Sequence, residues 1–167
     1  MKLLDLSHPL LHGQPAFPND PKLAAIAHST VATHKYNISQ ILMGTHQGTH
    51  LDAMFHFFDE GRTLDQMPLD GFYGPARRLH IPKPPNGEIT VEDLRPHEPR
   101  LTPGARIIVA TGWHRHFGQP DYFTDFPSFT LEAARFLATK KIRLLGMDMP
   151  TPSKQWLEIH HILLAPD

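Results

Sequence analysis

Residues 103–110 read PGARIIVA and residues 130–146 read TLEAARFLATKKIRLLG, and these two stretches decide the fold class. After the turn at Pro103-Gly104, Ala105–Ala110 is a β-branched run suited to a strand buried on both faces. Thr130 has the side chain of a helix N-cap. Behind it Leu131, Ala134, Leu137 and Ala138 recur at helical spacing up to Lys140, and Lys140 and Lys141 complement the negative end of the helix dipole. Ile142–Gly146 supplies the next strand. Strand, helix and strand in that order, joined by a connection long enough for a crossover, predict an α/β domain with at least one parallel strand pair. Functional residues then belong near the carboxyl ends of such strands.

Upstream, Thr90-Val91-Glu92-Asp93 reads as a capping box opening a short helix that Pro96 stops. The run IPKPPNG at 81–87 is too short to separate domains and reads as a surface loop. Nearer the N-terminus, Ile38–Met43 is a strand and Gly13–Pro21 an extended loop, its prolines flanking Asn19 and Asp20. Leu3–Leu6 reads as a short opening strand.

Composition bounds the function classes. A chain of 167 residues can bury on the order of 70% of its unfolded surface, so it needs no disulfide scaffold, and without Cys it has none. No repeat, linker or like-charge block divides it, so residues 1–167 are read as a single domain. Lys+Arg 16 against Asp+Glu 17 leaves a net charge of -1, which argues against nucleic acid or an anionic membrane as partner. No apolar run approaches the ~20 residues of a membrane span. Asp5 and His8 interrupt the place where a signal peptide would be apolar, so the expectation is a soluble cytoplasmic protein.

The unusual number is His 13. His12, His28, His34, His80, His97, His114 and His116 read as scattered surface residues. The segment Gly44-Thr45-His46-Gln47-Gly48-Thr49-His50-Leu51-Asp52-Ala53-Met54-Phe55-His56 is different, because it offers four potential ligands in a short space. On a straight strand His46 and His50 would lie roughly 13 Å apart, too far for one ion. On a regular helix they would meet, but Asp52 would be rotated about 200° from His50. Gly44 and Gly48 permit a third solution, a tight loop that curls His46 back towards His50 while His50-x-Asp52 stays extended. Two neutral imidazoles and a carboxylate make a facial set for Zn or Mn, with bonds of about 2.0–2.2 Å and a position left open for water. If the backbone turns helical after Asp52, His56 returns as a neighbouring non-ligand, the place of a general acid or base.

The run His46 to His56 resembles the H-x-G-T-H-x-D-x-x-x-H signature of the cyclase family of metal-dependent hydrolases, which includes bacterial kynurenine formamidases. Asp5-Leu6-Ser7-His8-Pro9-Leu10 is similar to that family's opening strand, and Phe17-Pro18-Asn19-Asp20 to its W-P-G-D loop. Tyr73-Gly74-Pro75-Ala76, Thr111-Gly112-Trp113, Gly146-Met147-Asp148 and His160-His161-Ile162-Leu163-Leu164 follow as landmarks in order. The resemblance implies a swivelling β/β/α fold assembled as a homodimer or homotetramer. It makes His46, His50 and Asp52 ligands of a first metal, Asp52 and His160 ligands of a second, and His56 the proton donor and acceptor. Phe17 stands where formamidases commonly carry a substrate-contacting Trp, so an aromatic wall is kept and the indole N–H is lost. A further Glu ligand, expected about a dozen residues beyond the His160 position, has no counterpart before Asp167. The sequence thus reads as lacking the family's C-terminal segment and as holding one firm metal.

The activity this implies is metal-dependent hydrolysis of a small aryl amide, with N-formylkynurenine going to kynurenine and formate. A bound metal lowers the pKa of water from ~15.7 towards about 7 and polarises the carbonyl. The alternatives are ring opening of a cyclic amide such as isatin, a cyclase or lyase reaction, and a catalytically inert metal-binding protein. Asp148 is either a functional carboxylate at a strand end or a cap on the loop through Thr151. Phe55, Phe57 and Phe58 either line an apolar pocket or pack in the core. Trp113 and Trp156 read as packing residues and Glu158 as a solvated surface carboxylate.

Overall fold

In the computed structural model, which describes residues 3–165, the chain divides at the Asp52–Ala53 junction into two units. In the first, β1 (Ala24–Ser29) turns through the short helix α1 (Val31–His34) and returns antiparallel as β2 (Ile38–Leu42). The turn is fixed locally. Thr30 caps α1, the Val31 N–H donates to Asn37 Oδ1 at 2.9 Å, and Lys35 ends the helix in the left-handed region. The strand expected at Ile38–Met43 is therefore present, and it leads directly into Gly44 and the histidine-rich loop. Leu3–Leu6 departs from expectation, since it is not a strand and Leu3, Leu4 and Leu6 are all exposed. Asp5 takes the Ser7 N–H at 2.9 Å, a side-chain bond that competes with pairing in a ladder.

The second unit is built on a parallel three-stranded sheet of β3 (Arg77–His80), β5 (Arg106–Ala110) and β7 (Leu144–Met147), with β5 in the centre. A smaller parallel pair joins β4 (Glu88–Ile89) to β6 (Ser128–Phe129). The helices are α2 (Val91–Leu94), α3 (Leu131–Thr139) and α4 (Trp156–Leu163). The chain passes from β5 through α3 to β7, so the α/β class and the parallel pair are as the sequence predicts. Along β5, Ile107 and Val109 are fully buried, while Arg106, Ile108 and Ala110 are half-buried. Leu79 on β3, Ala133, Ala134 and Leu137 on α3, and Ile159 on α4 complete the centre of the core. Full burial of each Leu, Ile or Val is worth about 1.5–3 kcal/mol.

Both predicted caps form. Thr130 accepts the Ala133 N–H at 3.1 Å and starts α3. The apolar stripe of α3 differs in phase from the reading above: Ala133 is buried and Ala138 is exposed, because the contact face is centred between Ala134 and Leu137. Thr90 and Asp93 cap each other's backbone around α2, and Lys83 reaches Asp93 at 2.7 Å. The α-helix ends at Leu94, before Pro96, but the coiling goes on, since residues 95–100 form a 3₁₀ helix with Pro96 in its first turn, where an N–H has no partner to lose.

Asp148 follows β7 and faces the end of β5. Its carboxylate accepts the Thr111 N–H at 3.0 Å, the Thr111 hydroxyl at 2.7 Å and the Gly112 N–H at 2.8 Å, with His114 Nδ1 at 3.1 Å. Burial raises its pKa, but these bonds together outweigh burial and hold it below the usual carboxylate range. Asp148 therefore ties two strand ends together through Thr111 and Gly112.

Candidate metal centre

The loop after β2 brings His46, His50 and Asp52 to one point. His46 Nδ1 lies 3.2 Å from His50 Nε2 and 2.8 Å from Asp52 Oδ1, and His50 Nε2 lies 3.4 Å from the same oxygen. Gly48 makes the curl possible. Its φ is +68°, a conformation that L side chains rarely adopt, and a Cβ there would also have to push aside the end of the exposed Leu10 side chain. Gly44, expected to share this task, is not at positive φ.

The donor chemistry suits a cation. His50 Nδ1–H donates to the Gly48 carbonyl at 2.8 Å, which leaves the lone pair of Nε2 facing His46 and Asp52. Three atoms bound to one ion at about 2.1 Å are separated by about 3.0 Å at octahedral angles and about 3.4 Å at tetrahedral ones. Two of the observed edges, 3.2 and 3.4 Å, fall in that range, and the third, 2.8 Å, lies just below it. When His50 takes up a proton its Nε2–H can donate to Asp52, which raises its pKa above the ordinary value, the Gly48 carbonyl and the Asp52 charge adding to it against burial. The site thus favours positive charge. A cleft of about 150 Å³, lined by Asp20, Pro21, Gly44, Thr45, His46 and Gln47, opens beside His46.

His56 and His160 belong to the second unit, where the structure also brings these two together. His56 ends a 3₁₀ turn, Met54–His56, as the chain was expected to coil after Asp52. Gly61 closes the turn, since a Cβ there would lie 2.7 Å from the Met54 backbone. His160 is buried on α4, its Nδ1–H donating to the Trp156 carbonyl at 2.5 Å, and its ring centroid lies 5.9 Å from that of His56. Glu158 is exposed, as expected. Phe17 is half-buried in the Gly13–Pro21 loop, at a turn closed by the Asp20 N–H on its carbonyl at 3.0 Å.

Known proteins identify the family. Residues 4–154 match the model of the Cyclase family. The chain belongs to the Cyclase family. It is 32% identical over 166 residues to the kynurenine formamidase of Geobacillus thermodenitrificans, covering 96% of this chain and 76% of that protein. With the kynurenine formamidase of Bordetella petrii it shares 30% identity, over 99% of this chain and 79% of that one. A structure described as a potential metal-dependent hydrolase with cyclase activity superposes with a TM-score of 0.79 at 25% identity, over 98% of this chain and 77% of that one. An isatin hydrolase bound to the product analogue thioisatinate has the same fold, with a TM-score of 0.82 at 19% identity over 96% of this chain and 74% of that one. Within this Cyclase family chain the α/β class is that of the cyclase-family hydrolases.

Two features escaped the sequence reading. Gln14 and Gln47 are buried beside the ligand loop, Gln14 Oε1 taking the Leu11 N–H at 2.7 Å and Gln47 Nε2 reaching the Pro15 carbonyl at 3.5 Å. Nothing in the proline-rich loop around Gln14 or in the histidine loop around Gln47 marks these glutamines as internal. Phe57 was read only as pocket lining or core, and its ring contacts are long-range facts that spacing cannot reveal.

Proposed function

We propose that this chain hydrolyses a small aryl amide with a divalent metal held by His46, His50 and Asp52. N-formylkynurenine is the leading substrate, cleaved to kynurenine and formate. The observation that carries the reading is the triangle of two imidazole nitrogens and one carboxylate oxygen with edges of 2.8–3.4 Å. The kynurenine formamidases among its relatives support the substrate class.

When bound, the metal supplies Lewis-acid charge and makes water acidic enough to lose a proton near neutral pH. The residues do the rest. His50, fixed as the Nδ1–H tautomer by the Gly48 carbonyl, presents Nε2 as an electron-pair donor, and Asp52 balances positive charge. Water adds to the formyl carbon, the C–N bond breaks, and the proton lost by water goes to the amine; His56 is the residue that carries it. Zinc is the first candidate for an N₂O donor set and manganese the second. A second reading, opening of a cyclic amide such as isatin, is supported by Phe17, which offers an aromatic face without an indole N–H.

Assembly as a homodimer or homotetramer belongs to the same reading. It is supported by Ile26 on β1 and Leu42 on β2, which are 55% and 68% exposed on the same face of the pair and which a second copy would cover. Cytoplasmic residence is proposed with it; among the described residues, no helix is long and apolar enough to cross a membrane.

The test is turnover of N-formylkynurenine and of isatin by purified protein, before and after chelation and zinc or manganese readdition, with elemental analysis of the loaded chain. Kynurenine release that follows metal content supports the reading, and about one tightly held metal per chain is expected. Isatin opening alone would move the assignment to the second reading, and metal-independent turnover would overturn it.

A further inference from the structure

Phe57 sits among three histidines of the second unit, His56, His160 and His161. Its ring stacks face to face on His160, with centroids 4.3 Å apart and planes 10° from parallel. It meets His56 edge-on at 4.5 Å and His161 edge-on at 5.8 Å, and Trp156 is tilted against it at 6.1 Å. Trp156 and His160, four residues apart, share one face of α4, and His161 reaches the Phe57 ring from the adjacent position. Ile159, fully buried in the core, anchors the helix.

An imidazole has two side-chain torsions, and the second is intrinsically broad. For His160 one constraint is the Nδ1–H bond to the Trp156 carbonyl at 2.5 Å, which sets the tautomer and directs Nε2 away from the helix. That bond fixes one point of the ring and does not by itself set its plane. The Phe57 face lies along that plane, and the same ring meets His56 edge-on. We propose that Phe57 is a positioning residue for the reaction, fixing the ring planes of His160 and His56 so that the proton carried by His56 moves along one orientation. The proposal rests on the reading of His56 as proton carrier given above.

A ring that merely filled space would be replaceable by any side chain of similar bulk, whereas a stacking ring is replaceable only by another aromatic. Phe57→Leu and Phe57→Tyr separate the two, with Phe57→Met in place of Leu if circular dichroism shows that Phe57→Leu does not fold. The expected result is that Phe57→Leu lowers kcat about 10- to 100-fold with KM changed by no more than about twofold, since small misplacements of reacting groups cost this much in rate. In metal-free full-length protein, the His160 ring protons should lose the ring-current shift that a stacked Phe imposes, as read by histidine-selective NMR. Phe57→Tyr should recover most of both.

Wild-type kcat in Phe57→Leu, unmoved His160 resonances, or equal impairment of Phe57→Tyr would each overturn the proposal. If wild-type protein hydrolyses no amide at all, the hydrolase reading fails separately and the ring resonances still judge whether Phe57 fixes His160.

Discussion

His50 concentrates the chemistry of the centre, because one nitrogen is spent on the Gly48 carbonyl and the other faces the site. His50→Ala should remove the metal while leaving the fold, a result elemental analysis and circular dichroism can check together; full metal occupancy in that variant would refute the ligand assignment. His56→Ala should keep the metal and lose about 10²- to 10⁴-fold in rate, the usual worth of a positioned proton-transfer group. Wild-type turnover in metal-loaded His56→Ala would rule out its role. The ligand loop was legible in the sequence because four ligand-type residues and a glycine stand within a few positions of one another. Which glycine bends the loop was not legible, since Gly44 and Gly48 are alike in sequence and only the folded backbone puts Gly48 at positive φ and Gly44 not.

Elements were legible where a local rule acts alone. The caps at Thr90 and Thr130 and the β-branched run of β5 each follow from a few adjacent residues. Phase and pairing were less so: the buried stripe of α3 is set by what packs on it, and Leu3–Leu6 has strand propensity but a competing side-chain bond at Asp5. The cap of α3 gives a measurable consequence. Thr130→Ala removes the acceptor of the Ala133 N–H and should cost about 1 kcal/mol, read as a lower urea midpoint at unchanged slope. A Thr130→Ser variant keeps the hydroxyl and should retain most of the stability, so an equal loss in both would point away from capping.

At the scale of the molecule, the division at Asp52–Ala53 falls inside the histidine motif, where no linker composition could announce it. The acid response is set by carboxylates whose bonds exist only in the fold, and Asp148 is the best-connected of them. Its pKa is depressed in the folded state, so its contribution to stability is present above the unfolded value of about 3.9 and is lost as pH falls through the lower, folded value. Asp148→Asn keeps the shape but gives up the charge and turns an NH₂ group towards a backbone donor of Thr111 or Gly112. The variant should be less stable near pH 7 by about 1.5–3 kcal/mol, the worth of hydrogen bonds to a charged group. Below pH about 4 the unfolded chain takes up the proton at Asp148 while the folded carboxylate, with its lower pKa, still resists it, so the gap between the two proteins should begin to narrow there. Urea midpoints measured at pH 7, 5 and 3.5 decide the matter: curves that stay parallel down to the lowest pH would mean that Asp148 holds the β5 and β7 ends by shape alone, and that the acid sensitivity comes from other carboxylates such as Asp93, which Lys83 and Thr90 hold below its ordinary pKa against the effect of burial.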